Sequence, residues 1–218
     1  CCSEWLGEGE GVNVIFSDTV NGILLIVYNV FIMHYLSRKI NEKFGTYMAR
    51  KAIHVLSAGV SVLLARVIFS DWLVPLVVGL FMVGYTVVGH FQKLHGWFQI
   101  KGNYADVYFT VACTGLLVIF WNYNVWIGVL SALFLAWGDG LTGIVRKLAY
   151  GKRNKGLWGT AAMFAICMAL AYIMNGRVGY VAFIAGAFAT IAEKFKQLDD
   201  NITIPIGSAI IMVLPALL

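Results

Sequence analysis

Apolar runs recur along this chain, and each is bounded by charged residues or by Gly/Asn turns. They fall near residues 14–36, 53–70, 72–90, 105–121, 125–137, 157–174, 178–192 and 202–218. Most are close to the roughly 20 residues that a helix needs to cross the hydrocarbon core of a bilayer. A chain in lipid must satisfy its backbone polar groups internally, so runs of this length predict helices. Composition agrees: 60% of the residues are hydrophobic and 12% are charged, against about 25% charged in soluble domains. The expected fold is all-α, a polytopic integral membrane protein with about eight transmembrane helices.

The loops test that count. Cytoplasmic loops of membrane proteins collect Lys and Arg. Residues 37–51, 91–104, 138–156 and 193–201 hold fourteen of the sixteen cations; only Arg66 and Arg177 fall on the other side. The N-terminal segment carries Glu4, Glu8 and Glu10. Both termini are therefore expected on the non-cytosolic side. The net charge of +5 reads as this asymmetry, and a nucleic-acid partner is not expected. No soluble module, internal repeat or cleavable signal stands out. Residues 1–218 read as one membrane-embedded domain with a short polar segment at 1–13. Cys113 and Cys167 sit inside apolar runs as small buried thiols, with no metal-ligand spacing and no disulfide framework. Small-residue spacings such as Gly179 to Gly186 are too common in spans to fix an oligomeric state.

Three polar motifs sit beside span ends on the cation-rich side. The first is Arg50-Lys51-Ala52-Ile53-His54. On a helix, Arg50 and His54 share a face, and Lys51 and His54 are neighbours. A positive-inside anchor with an interfacial histidine accounts for this stretch; so does a clamp for phosphate oxygens. The second runs from Gly138 to Thr160. The short run 125–137 ends there at Asp139, between Gly138 and Gly140, and is expected to enter a polar cleft. Gly143, Gly151, Gly156 and Gly159 follow, with Lys152 and Lys155 among the cations. Glycine admits close approach of backbone amides to an anion. A surface loop touching lipid phosphates would share these features, and the stretch is not a P-loop, because G-x-x-x-x-G-K-[ST] is absent.

The third motif runs from Glu193 to Pro205. Asp199, Asp200 and Asn201 precede the last run, and Pro205 suits the first turn of its helix. An N-cap explains one of these residues. It does not explain three carboxylates and an asparagine on an otherwise basic surface. Carboxylates of this kind suit Mg2+, which takes one or two of them together with substrate phosphates. Cations, carboxylates and glycines at a membrane surface form an inventory for nucleotide-dependent phosphoryl transfer.

These residues carry a resemblance. Arg50-Lys51-x-x-His54, Gly138-Asp139-Gly140 with Gly143, Lys155 with Gly159-Thr160, and Glu193 with Asp200-Asn201-Ile202-Thr203-Ile204-Pro205 occur in an order that resembles the polyprenol kinase family. That family includes dolichol kinase, phytol kinase and the CTP-dependent diacylglycerol kinase of fungi, and looks related to phosphatidate cytidylyltransferases. Gly102-Asn103-Tyr104 with Tyr108-Phe109 adds a weaker match, and the likeness covers about residues 45 to 210. It implies transfer of a phosphoryl group, usually from CTP, to a lipid alcohol at the cytosolic face. Asp139, His54 and Lys155 would be catalytic. Arg50, Lys51, Gly138, Gly140, Gly143, Lys152, Lys155, Gly159, Thr160 and Asn201 would hold the nucleotide. Asp139, Glu193 and Asp200 would hold Mg2+, with Asp139 alternatively the base. Two departures matter. Lys155-Gly156-Leu157-Trp158-Gly159-Thr160 replaces the Lys-Ser-x-Glu-Gly-Thr of relatives, and Asp106 replaces a residue that is usually small or neutral.

Two other readings stand beside the kinase. A cytidylyltransferase would use the same nucleotide and metal but release pyrophosphate. A small transporter would place ionisable residues at mid-span, whereas the carboxylates here lie at run ends.

Overall fold

The computed structural model describes residues 3–151, 156–195 and 199–217, and every regular element among them is helical. Helix α1 covers residues 3–44 and passes through a π-helical stretch at Ile32–Leu36. Gly45 ends it with φ +85°, a backbone that a side chain would resist. Helix α2 (Thr46–Ile68) carries a second π-helical stretch at Ile53–Gly59. Helix α3 (Leu73–Gln92) stops at Lys93, which is left-handed at φ 55°. Helix α4 (Ala105–Tyr150) contains a third π-helical stretch, Phe134–Asp139. Helices α5 (Leu157–Val178), α6 (Val181–Ala192) and α7 (Asp200–Leu217) complete the chain.

α4 is not one rod. Asn124 leaves the helical region at φ −153°, ψ 92°. A β-carbon on Gly128 would lie 2.4 Å from the Leu116 carbonyl oxygen. Twelve residues of straight helix would separate those positions by about 18 Å. The two arms, 105–123 and 125–150, therefore fold back on each other at Asn124. Its side chain holds the reversal, accepting from the Trp126 amide at 3.2 Å and donating to the Arg177 carbonyl at 3.0 Å.

The second arm is the core of the molecule. Val129, Leu130, Ala132, Leu133, Phe134, Leu135 and Ala136 are wholly buried. A helix apolar on every face belongs where other helices surround it. Within α4 as a whole, 56% of an 18-residue apolar window is buried, against 28–33% for the other four long helices. Those helices turn large apolar side chains outward instead: Phe16, Val67, Phe91 and Tyr172 are all at least 70% exposed. Five helices, 13–44, 46–68, 73–92, 105–150 and 157–178, are long and apolar enough to cross a membrane; α6 and α7 are shorter and apolar. Length, composition and outward-facing apolar surface mark this as a membrane protein.

The chain departs from the sequence expectation after Asp139. The loop expected at 138–156 is helical as far as Tyr150, and Gly151 ends it at φ +66°. The apolar pattern lapses there because an ion pair replaces apolar contact: Arg146 turns inward and is almost wholly buried. Pro205 lies in the sixth position of α7, beyond the first turn, and deprives the Asn201 carbonyl of its usual helical donor.

Candidate functional site

Two π-helical stretches meet at the centre of the site. One carries His54, the other Asp139. A π turn widens the helix and such stretches recur at functional positions. The pair is fastened by Trp137, whose Nε1–H donates to the Val55 carbonyl at 3.0 Å. The Trp137 ring lies where a β-carbon on Gly59 would stand, so glycine at 59 permits the crossing. Tyr28 donates to the next carbonyl, Leu56, at 2.7 Å and ties α1 to the same stretch.

Asp139 is buried rather than set in a surface loop. Lys51 Nζ donates to its Oδ2, and His54 Nδ1 stands 3.7 Å from that oxygen. His54 Nδ1 has no hydrogen-bond partner among the described residues, and its ring stacks on Phe109 at 4.0 Å between centroids. Arg146, two turns beyond Asp139 on the same helix face, acts electrostatically on both Asp139 and Tyr47. The site thus gathers Lys51, His54, Asp139 and Arg146 from α2 and α4, in a buried setting where charge interactions are stronger than in water.

The glycines make room for these side chains. A β-carbon on Gly140 would meet Val55 Cγ2 at 2.7 Å, and one on Gly143 would meet Lys51 Cε at 2.4 Å and the Tyr47 hydroxyl at 2.9 Å. Gly138 faces Met163 and Cys167, and Gly159 faces the Arg146 guanidinium. Each lies within a helix, so in this structure they serve close helix packing around the cluster rather than an open anion-binding loop.

The remaining sequence candidates are spread more widely. Glu193 is fully buried just past α6, and Arg146 donates to its two oxygens at 2.5 and 2.7 Å. Asp200 and Asn201 open α7; Asp199 Oδ1 caps it, accepting from the Asn201 amide and side chain at 2.9 and 2.8 Å. Thr160 lies in the first turn of α5. Arg50 lines a cavity beside His54. Lys152 and Lys155 lie outside the described residues. Asp139, Glu193 and Asp200 do not form one ligand set: no group of three or more His, Cys, Asp or Glu among the described residues is placed to hold a metal ion. Both Glu193 oxygens already serve Arg146, and Asp139 Oδ2 already serves Lys51.

The cavity beside His54 is the second component. It has a volume of about 870 Å3, counting space open to solvent, and runs between α1, α2, α3 and the first arm of α4. Its lining extends along α2 from Arg50 to Ala65, with Phe69 just past that helix, and along α4 from Asp106 to Leu117. Eleven helical residues span about 17 Å. Arg50, His54, Thr86 and Asp106 mark one end, and Leu25, Ala65, Phe69 and Leu117 the other.

In the sequence Asp106 stands out only as a departure from a pattern, and nothing local marks its partners. His90 Nε2 lies 2.8 Å from Asp106 Oδ1, and Gln99 Nε2 donates to Oδ2 at 2.8 Å. The only signal was a set of polar residues flanking the short turn between α3 and α4. Arg146 counts in the sequence only as one of the cations of residues 138–156; its depth in the core has no local mark.

Compared with protein-family models, with curated proteins and with solved structures, the chain matches none.

Proposed function

We propose that this chain is a multi-pass membrane lipid kinase of the polyprenol kinase type. It transfers a phosphoryl group from a nucleoside triphosphate, CTP in the first instance and ATP as the alternative, to the hydroxyl of a lipid alcohol. The acceptor classes are polyprenols, dolichol, phytol or geranylgeraniol, and diacylglycerol. In this reading α4 crosses the bilayer twice, α6 and α7 cross once each, and eight crossings leave both termini outside with the site facing the cytosol.

One observation carries the proposal: His54 belongs both to the Lys51–Asp139 cluster and to the polar end of the apolar cavity. A charged cluster suits phosphate, and an apolar channel suits a lipid chain. Phosphoryl transfer between them needs both at one place. The lipid hydroxyl oxygen attacks the terminal phosphorus, the bond to the nucleoside diphosphate breaks, and the hydroxyl proton leaves to a base. Lys51 and Arg50 offset charge on the phosphate oxygens. Asp139, oriented by Lys51, takes the proton, and His54 orients the hydroxyl. The nucleotide enters as its magnesium complex, and no step here is assigned to a protein-bound metal, because the three expected carboxylates are not gathered.

The test is direct. Purified protein is incubated with Mg2+, labelled CTP or ATP, and a panel of isoprenoid alcohols and diacylglycerol. A labelled lipid monophosphate is the expected product. A CDP-lipid would assign the chain to cytidylyl transfer instead, and no labelled lipid from folded protein with either nucleotide would sink both.

A further inference from the structure

The geometry points to Asp106, held by His90 and Gln99 at the polar end of the cavity, as the residue that binds the hydroxyl of a single-chain lipid alcohol whose tail fills the cavity. This is the binding mode without nucleotide; its role in turnover rests on the kinase reading, in which the hydroxyl passes from Asp106 to His54 and Asp139 once the phosphate is in place.

Asp106 is the first acidic group of α4 and lines the cavity. Its carboxylate is mostly buried and accepts one bond on each oxygen, from His90 and Gln99. A carboxylate has about four acceptor sites, so two remain for a ligand. Gln99 is itself fixed, its Nε2 also donating to the Thr86 carbonyl at 3.0 Å. The carboxylate is thus oriented before any ligand arrives, which favours binding. Phe109, one turn along α4, carries the ring that stacks on His54. Asp106 is thus connected to the phosphate cluster through Phe109 and His54.

Apart from Arg50 and His54, which the proposed chemistry uses, most polar groups of the wall are already engaged. Asn29, Ser57 and Ser61 line the cavity midway, but they bond among themselves: Ser57 and Ser61 donate to Asn29 Oδ1, and Asn29 Nδ2 donates to Ser61 and to the Leu25 carbonyl. Thr86 and Thr110 spend their hydroxyls on carbonyls of their own helices. A ligand with one polar head and a long apolar tail is what such a wall accepts. The cavity is a single lumen between four helices; the other described cavity, around Asn124 and Gly179, lies by the reversal of α4 and the α5–α6 turn. One chain, not two, is the occupant we assign to this space confined between four helices.

The experiment is equilibrium binding of tritiated geranylgeraniol to the purified full chain without nucleotide. Dioleoylglycerol and the hydrocarbon phytane serve as competitors. Wild type is expected to retain one alcohol per chain, with neither competitor displacing it well. Asp106→Asn should weaken alcohol binding about tenfold or more, the loss expected for one hydrogen bond to a charged group. Ala65→Phe, at the far end, should weaken the twenty-carbon alcohol while leaving a ten-carbon one bound. Unchanged alcohol affinity in Asp106→Asn overturns the assignment. If that variant does not fold, unchanged twenty-carbon binding in Ala65→Phe overturns it. Binding that depends on Asp106, in a protein that labels no lipid, would refute the kinase reading and leave this site standing. Labelling without any dependence of binding on Asp106 would do the reverse.

Discussion

Arg146 and Glu193, 47 residues apart in sequence, meet as a two-pronged ion pair at 2.5 and 2.7 Å, with both side chains almost wholly out of contact with solvent. The pair fastens the end of α4 to the turn after α6. Removing one partner strands a buried charge, which costs about 3 to 5 kcal/mol. Glu193→Gln and Arg146→Gln should each lower the thermal midpoint in detergent markedly, and Arg146→Lys should not restore it, because a lysine cannot match both oxygens. The double variant Arg146→Met/Glu193→Leu should lose less than the two single losses added together. Additive losses would show that the pair is not coupled.

Lys51 and Asp139 test the proposed chemistry. Asp139→Asn and Lys51→Met should each reduce lipid phosphorylation on the order of a hundredfold or more, the scale seen when a proton acceptor or a charge-stabilising donor is removed. Lys51→Met should also destabilise the fold, because Asp139 then stays buried without its cation. Lys51→Met/Asp139→Asn should recover stability and remain inactive. Full activity in Asp139→Asn would remove this carboxylate from the mechanism.

What the sequence shows of this molecule follows from how far each signal reaches. The helices are legible because each apolar run is a local pattern, and the gap between Trp121 and Val125 marks the reversal at Asn124. The Lys51–His54–Asp139 grouping was reachable only through ordered motifs, since the two segments lie 88 residues apart. The π-helical stretches left no trace in the apolar pattern, because they shift side-chain direction without changing residue type. The helix from Gly140 to Tyr150 was hidden because its inward face is glycine, threonine and arginine, stabilised by a partner beyond α6. The Asp106–His90–Gln99 cluster was hidden because three ordinary polar residues acquire a role only when the turn after α3 brings them together.

Two glycines of α4 should respond oppositely to the same substitution. At Gly128 a β-carbon would press on the Leu116 carbonyl at 2.4 Å, and backbone cannot swing aside. Gly128→Ala should cost about 1 to 3 kcal/mol, the usual range for overpacking. At Gly115 nothing lies within 4 Å, so Gly115→Ala should be neutral or stabilising by up to about 1 kcal/mol through helix propensity. Thermal unfolding of both variants checks the reversal at Asn124, because two arms that did not touch would make both changes mild.

His95, in the turn between α3 and α4, gives the protein an acid-sensitive point. Burial, with a smaller push from His34, lowers its pKa to about 4, so the ring is neutral when folded. Its Nε2 lies 2.9 Å from the Tyr85 hydroxyl, and its ring packs against Trp97 and Phe98. In the unfolded chain the same ring titrates near its ordinary value of about 6.5. Between those values the unfolded state binds the extra proton, so stability is fully present above pH about 6.5 and declines as pH falls toward about 4. The slope from this one group is at most about 1.4 kcal/mol per pH unit. Thermal unfolding at pH 7.5, 6 and 5 should show the decline in wild type and a shallower one in His95→Asn. Equal slopes would mean that the acid sensitivity arises elsewhere.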